Sequence, residues 1–426
     1  MKIYALALLG ATMAEATPPF AAMPPRKVLK LHNLTRFAVD QIASFGVDIW
    51  ALHPSAQAPP RFAADVLIDA RHTNYSALAL VLRDVDSTVI HLDLDLAIKA
   101  ERAMIAKTAA QRNWSVGDDS FFDTFRTYEE HVAFADQLAS KYPQIVTQLP
   151  PIGKTIEGRD IHALKLASPA KAASGNKNKP AVYLESTVHA REWLATSSLA
   201  YVMHSLASSY GSDAEITDLL DKFDVYVAPI VNIDGYLYTW QSSDNRMWRK
   251  NRRPNRDGTF GADINRNWGP ASTWCSSGSS TNPSSDTYCG TAAFSEPETA
   301  AAGKFIDEHP EIKAAVDFHT FGSLLLWPWQ YTLERLPTAE YNYFAAVGSE
   351  MVKAVAAVDG DRWVSQPGAD LYPHSGGLVD YCYEAGISSF TFEGRGSSFI
   401  VPDSAILPAG QEQLAAVVTM AQQVRV

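Results

Sequence analysis

Three patterns predict an α/β protein in which a mixed β-sheet, flanked by helices on both faces, follows a small βαββαβ ferredoxin-like unit. Residues from 127 onward alternate amphipathic helical stretches with short, almost wholly apolar strands, as expected of a sheet covered on both sides. Residues 28–94 run strand, helix, strand, strand, helix, strand, an order that closes into a small sheet with two helices on one face. Two apolar runs in the larger part, 181–187 and 314–318, each lead straight into a histidine, which places polar chemistry at strand ends.

The elements follow in order. Strands are expected at 28–31, 47–52, 64–68 and 88–94, and helices at 35–45 and 76–85. Residues 97–110 are strong helix formers and end in Gln111-Arg112-Asn113, a connector with Lys107 and Arg112 on offer to a protease. An ordinary interdomain helix is the plainer reading of that segment. Residues 127–141 are amphipathic, 161–166, 181–187 and 223–231 are apolar strands, and 194–209 is a helix. A long irregular stretch, 242–293, is of the kind that is functional or held by a disulfide. Then come a helix at 296–308, the strand 314–318, a short apolar run at 324–326, a helix at 339–358, the strand 388–392 and a closing helix at 405–424.

Composition narrows the class. The chain has 426 residues, 46% hydrophobic and 19% charged, with a net charge of −11. That acidity speaks against nucleic acid or an anionic membrane as the main partner. Residues 1–16 read as an export signal: Lys2, an apolar run from Ile3 to Ala11, and the cleavage pattern Ala14-Glu15-Ala16. No later run is long enough to span a bilayer. The expected product is therefore a secreted, extracellular protein, and nothing points away from a monomer. Of three cysteines, Cys275 and Cys289 share one Ser/Thr/Gly-rich loop and are expected to pair, while Cys382 falls in an amphipathic stretch as a core thiol. Sequons stand at Asn33, Asn74 and Asn113.

The chemistry gathers around V-Y-L-E-S-T-V-H-A-R-E-W at 182–193. His189 and Glu192, three residues apart, can face one metal ion from a single turn. Alone the pair is weak, because about one such pair arises by chance in a chain with eleven histidines. A third candidate, His319, ends the strand 314–318. If the two strands are neighbours, His189, Glu192 and His319 form a His2Glu set with an open fourth position, as in catalytic zinc sites.

Six motifs then make a resemblance specific: H-A-R-E-W at 189–193, N-R-M-W-R-K at 245–250, D-I-N-R-N-W at 263–268, V-D-F-H-T at 316–320, Y-P-H-S-G-G at 372–377 and F-T-F-E-G-R at 390–395. In order and spacing the chain resembles the zinc metallocarboxypeptidases of the carboxypeptidase A/B type from about residue 120 to its end, and the βαββαβ segment resembles that family's activation domain. Carboxypeptidase A is itself a standard example of a His2Glu zinc enzyme. The resemblance implies one Zn2+ held by His189, Glu192 and His319, with Glu393 as general base and Arg249 as the cation facing the developing oxyanion. It implies that Asn265 and Arg266 clamp the substrate's terminal carboxylate, that Arg191 is a further substrate contact, and that Tyr372 caps the bound residue. Asp263 is expected to orient His189.

Specificity rests on fewer residues. The position that carries an acid in enzymes cutting after Lys or Arg matches Val379, which implies an apolar pocket; Leu326 and Thr391 fall at other pocket positions and agree. Asp317 and Asp370 stand where small neutral residues are usual, and either would admit a cation if it faced the pocket. Phe321 replaces a subsite tyrosine, and the loop after Arg395 is short. The expected protein is a secreted zymogen: signal peptide 1–16, activation domain with connecting helix 17–112, catalytic domain 113–426. Cleavage near Arg112 by an activating endoprotease would release an exopeptidase for peptides and proteins ending in hydrophobic or aromatic residues. Two rivals are the same scaffold with Lys/Arg specificity and a noncatalytic secreted peptide-binding protein. Nucleophile chemistry is disfavoured, since G-x-S-x-G is absent and no cysteine has a catalytic setting.

Overall fold

The larger part of the chain is built on one eight-stranded mixed sheet, and the computed structural model describes residues 26–45, 47–54, 61–69, 75–111, 113–169, 179–270 and 272–425. The export signal expected at 1–16, the sequon at Asn74 and the cleavage position Arg112 lie outside the described residues.

The N-terminal unit runs β1 (Lys27–Leu34), α1 (Arg36–Ser44), β2 (Ile49–Pro54), β3 (Phe62–Ile68), α2 (Tyr75–Leu82) and β4 (Ser87–His91). Its sheet has the order β2-β3-β1-β4 with every neighbouring pair antiparallel. Val39 and Ile42 of α1 and Leu78 of α2 pack with Leu31, Ala64 and Val66 in one apolar cluster. The opposite side supplies Val28 and Trp50 to a second cluster, shared with the next helix, α3 (Leu94–Gln111), through Leu94 and Ile98.

The larger part begins with α4 (Tyr128–Lys141), whose start is fixed by a capping box in which Thr127 accepts from the Glu130 amide and Glu130 accepts from the Thr127 amide. Then follow β5 (Val146–Gln148), the two-stranded ribbon β6 (Gly153–Lys154) and β7 (Asp160–Ile161), β8 (Leu164–Leu166), β9 (Ala181–Ser186), α5 (Trp193–Ser209), α6 (Ala214–Lys222), β10 (Asp224–Ala228) and α7 (Ile233–Gln241). After the long irregular stretch come α8 (Pro297–Glu308), β11 (Ile312–Thr320), β12 (Leu324–Trp327), α9 (Thr338–Asp359), β13 (Val364–Pro367), α10 (Gly368–Leu371), α11 (Leu378–Glu384), β14 (Ser388–Gly394) and α12 (Ile406–Gln423). Periodicity passes over α6, α7, α10 and α11, which are too short for a full apolar stripe. Asp213 caps α6 and Asn232 caps α7, so their signals are local ones.

The sheet order is β13-β12-β14-β11-β9-β10-β8-β5, with β10, β9, β11 and β14 parallel to one another at its centre. These central strands are buried on both faces. Along β9, Val182 and Leu184 enter one core cluster while Ala181 and Tyr183 enter the other. Along β10, Val225 and Val227 divide from Tyr226 and Ala228 in the same way. That two-sided burial is why these runs read as continuously apolar. It also leaves the strand ends as the places where polar side chains can gather.

The irregular stretch is ordered by polar ties as well as by the burial of Met247, Ile264 and Trp268. Lys250 Nζ donates to the carbonyls of Pro283 and Ser285, and Asn251 Nδ2 to Glu296 and Glu298. Cys275 and Cys289 form the expected disulfide, 14 residues apart, and Cys382 is free and buried. A loop of that length loses enough closure entropy that replacing both cysteines by serine should lower the unfolding free energy by about 3 kcal/mol. Denaturant titration of the double variant against the parent measures it.

Candidate metal centre and active site

Strand β11 pairs with β9 on one side and β14 on the other, so the ends of three parallel strands meet. His189 and Glu192 lie on the turn after β9, His319 near the end of β11, and Glu393 opposite His319 in the register of β14. The neighbour relation on which the His2Glu set depended is therefore present. The strand runs two residues further than its apolar core, to Thr320, which puts His319 inside it.

The three side chains converge in a buried cluster. Glu192 Oε1 is 2.7 Å from His189 Nδ1, Glu192 Oε2 is 3.0 Å from His319 Nδ1, and the two Nδ1 atoms are 3.0 Å apart. Each imidazole has its far nitrogen on a carboxylate: His189 Nε2 is 3.2 Å from Asp263 and His319 Nε2 is 2.5 Å from Asp317. With Nε2 donating, both Nδ1 lone pairs aim at one point, an arrangement that a cation relieves. Donor atoms around a tetrahedral zinc with bonds of ~2.0–2.1 Å stand ~3.3 Å apart, so these need spread only by a few tenths of an ångström. The residues fit one Zn2+. The Thr320 amide fixes Glu192 from behind, donating to Oε2 at 3.0 Å.

Asp263 organises the other side. It accepts from His189 Nε2, from Arg249 through Nε at 3.1 Å and Nη2 at 2.8 Å, and from the Asn265 amide at 3.0 Å. Burial works against its charge, yet Arg249, Arg266 and His189 hold the carboxyl well below the usual range. Thus held, Arg249 keeps Nη1 3.3 Å from His189 Nδ1, beside the metal position. Asn265 lines the cavity, whereas Arg266 is almost fully enclosed, with Nε on the Gly278 carbonyl and Nη1 on that of Asn265. Burial, with Glu192 and Asp317 adding to it, pushes Glu393 up to about 8.

The cavity beside the metal cluster is walled by Asn265, Leu324, Leu326, Gln330, Tyr372, Thr391 and Glu393. Val379 is not among the lining residues. It is fully buried on α11, where its carbonyl accepts from Ser389 Oγ at 2.6 Å, so the helix backs the pocket rather than facing it. Neither questioned aspartate faces the cavity: Asp317 is taken by His319, and Asp370 pairs with Arg335 at 2.8 Å. Asp317 was missed as a partner of His319, although positions 317 and 319 share one face of a strand. The cavity mouth is lined by Trp50, Ala51, Leu52 and His53 of β2, and Arg191 is engaged by Asp48 through two contacts of 2.5 and 3.2 Å.

A mixed sheet with a buried His2Glu cluster at its parallel strand ends, a carboxylate opposite and an arginine alongside defines a metallopeptidase-type hydrolase. Residues 131–416 match the model of the zinc carboxypeptidase family. The chain is 33% identical to carboxypeptidase B of Bos taurus over 97% of its own length and 96% of that protein's, and 31% identical to carboxypeptidase A1 of Sus scrofa over 91% and 93%. The crystal structure of carboxypeptidase A from Helicoverpa armigera superposes with a TM-score of 0.81 at 25% identity, covering 94% of this chain and 98% of that one. This chain belongs to the zinc carboxypeptidases. It is a zinc-dependent exopeptidase of the carboxypeptidase A/B type that removes C-terminal residues, and its metal triad is His189, Glu192 and His319. No described helix is long and apolar enough to cross a membrane.

The contact of Asp317 with His319 gives a test of the outer residues. Asp317→Asn keeps the shape but weakens the hold on Nε2, and zinc affinity should fall about 10- to 100-fold. Competition against a chromophoric chelator reads that loss, with far-ultraviolet circular dichroism checking that the fold persists.

Proposed function

We propose that this carboxypeptidase is a secreted zymogen that, once processed, removes neutral and mainly apolar C-terminal residues, including aromatic ones. The observation that carries the specificity is that neither Asp317, which reaches His319, nor Asp370, which reaches Arg335, lines the cavity, whose wall beside Glu393 is formed by Leu324, Leu326, Gln330 and Thr391. A lysine or arginine side chain would be buried there with no carboxylate to pair with besides the proposed base Glu393 and the metal ligand Glu192, which is costly. That speaks against the basic-specific rival.

In this reading the residues divide the work. Bound zinc supplies a Lewis acid that polarises the scissile carbonyl and acidifies water. Glu393 takes the proton of the attacking water and delivers it to the leaving amine. Arg249, fixed by Asp263, faces the negative charge that develops on the carbonyl oxygen. Asn265 and Arg266 receive the terminal carboxylate, Arg191 adds a contact further along the peptide, and Tyr372 closes over the bound residue. A binding protein without catalysis would have no use for Glu393 opposite the metal triad.

The zymogen reading assigns 1–16 to an export signal, 17–112 to an activation domain with its connecting helix, and 113–426 to the catalytic domain. The strand order β2-β3-β1-β4, with α1 and α2 in one apolar cluster, supports a ferredoxin-like activation domain. Three contacts support its role as a cover: β2 over the cavity mouth, Asp48 on Arg191, and Glu101 on Arg246 at 2.7 and 3.0 Å. An endoprotease cutting near Arg112 would sever the connector. The disulfide accords with an oxidising compartment. The expected active species is a monomer.

Blocked dipeptides ending in Phe, Leu, Lys or Arg, offered before and after limited trypsin treatment, test the reading. Release of Phe and Leu should appear only after treatment, vanish with a chelator, and fall by orders of magnitude in Glu393→Gln. Release confined to Lys and Arg would defeat the apolar-pocket reading, and equal release without trypsin would defeat the zymogen.

The pH profile follows from the same base. Glu393 must be ionised to accept a proton, so kcat/KM should fall as pH drops through its pKa. Burial sets that value at about 8, and zinc's charge draws it down toward the ordinary ~4.3 of a glutamate, so the acid limb should lie between the two. A limb at or below pH 4 would show that Glu393 is not the group titrating.

A further inference from the structure

The cavity wall is not wholly apolar. Gln330, only 1% exposed, follows β12 and lines the cavity together with Leu326 and Thr391. Its backbone is pinned from behind, the amide donating to Asp380 Oδ1 at 2.9 Å and the carbonyl accepting from the His374 amide at 2.7 Å. Its side chain lies in a slot that two glycines keep open. A Cβ on Gly368 would come within 2.6 Å of Gln330 Cγ, and one on Gly377 within 2.5 Å of Gln330 Oε1. The side chain is thus confined by Gly368 at Cγ and by Gly377 at Oε1.

One end of that carboxamide is satisfied and the other is not. Nε2 donates to Thr391 Oγ1 at 3.2 Å, while Oε1 is buried with no hydrogen-bond partner among the described residues. Thr391 stands beside it because Leu326 and Thr391 are paired across β12 and β14. As an acceptor for Gln330, the Thr391 hydroxyl keeps its own hydrogen to give. The point where a Gly377 Cβ would sit is also 2.9 Å from Asn265 Oδ1, which sets Gln330 Oε1 close to the amide assigned to the substrate's terminal carboxylate. A side chain entering from that carboxylate therefore meets an unpaired acceptor and a hydroxyl donor next to each other.

From this geometry we infer that Gln330 is a specificity-determining residue, and that with Thr391 it fits the pocket for a C-terminal residue ending in a carboxamide, asparagine or glutamine, in addition to apolar ones. The inference rests on reading this cavity as the site of the C-terminal side chain. A carboxamide offers an N–H to Gln330 Oε1 and a carbonyl to the Thr391 hydroxyl, matching both at once. A hydrocarbon of equal size leaves Oε1 buried and unpaired, the condition under which hydrogen-bonding sites discriminate most sharply. The pairing survives rotation of the Gln330 amide, since a carboxamide partner can reverse its own donor and acceptor.

The test uses the trypsin-processed, zinc-loaded enzyme and near-isosteric pairs of blocked dipeptides, Asn against Leu and Gln against Met, with Phe as reference. Gln330→Met keeps the length and removes the carboxamide; Thr391→Val removes the other partner. The Asn:Leu and Gln:Met ratios of kcat/KM should fall about tenfold or more in Gln330→Met and by a smaller factor in Thr391→Val. Ratios taken within one preparation are insensitive to the fraction folded. Ratios unchanged in both variants while Phe is still released would overturn the inference and leave the pocket reading standing. Loss of Phe, Leu and Asn release alike in the unsubstituted enzyme would overturn the pocket reading, and the inference with it.

Discussion

Asp263 is the charge on which the arrangement of the site depends. Enclosed completely and flanked by His189, Arg249 and Arg266, it is a carboxylate that the interior would reject without those partners. Its hydrogen bonds do several things at once. They select the His189 tautomer that presents Nδ1 to the metal, hold the Arg249 guanidinium beside that point, and tie the Asn265 amide into the short helical turn Ile264–Arg266. One buried anion therefore couples the metal position to Arg249 and Asn265, the residues proposed to face the oxyanion and the terminal carboxylate. An irregular chain segment can keep such distances only if something rigid ties it to the sheet.

The second imidazole is served by a different device. Asp317 lies two residues before His319 on one face of β11, so the strand's own repeat delivers the carboxylate to Nε2. Beneath it, Glu185 of β9 stands opposite Asp317 in the parallel register. Two ionised carboxylates in such neighbouring positions would repel one another. Burial, reinforced by Asp317, raises Glu185 well above its ordinary range, and the Tyr183 hydroxyl donates to its Oε2 at 2.8 Å.

Much of this was legible in the residues because it follows from period and spacing. The strands 181–187 and 314–318 were readable as buried, and His189, Glu192 and His319 as groups at their ends, while their being neighbours was a condition that the register of β9 and β11 meets. What could not be read was the direction in which particular side chains point. Asp317 looked like a candidate pocket charge because a linear chain does not say which wall of a strand faces the cavity. Val379 looked like the pocket wall, but it is fully buried on α11, while Gln330, from a turn with no periodicity at all, lines the cavity. Short capped helices such as Ala214–Lys222 escaped for the same reason: their signal lies in a single cap, Asp213, rather than in a repeat.

The contacts made by the N-terminal unit bear on what a cut in the connector would achieve. Asp48 occupies Arg191, and Glu101 occupies Arg246 in a pair that is enclosed on both sides, 2% and 0% exposed. Arg102 adds hydrogen bonds to the carbonyls of Thr239, Trp240 and Ser242. None of these depends on the peptide bonds near residue 112, so on the proposed zymogen reading a single cleavage removes the tether and leaves the pairs intact. Separation then requires desolvated arginines to be exposed to water again, where hydration replaces the lost partners. On the same reading Arg191, the proposed substrate contact, has most to gain, because a peptide carboxylate or carbonyl would take the place of Asp48. Substrate would thus compete with the cover for the same cation, and opening the site would be coupled to filling it.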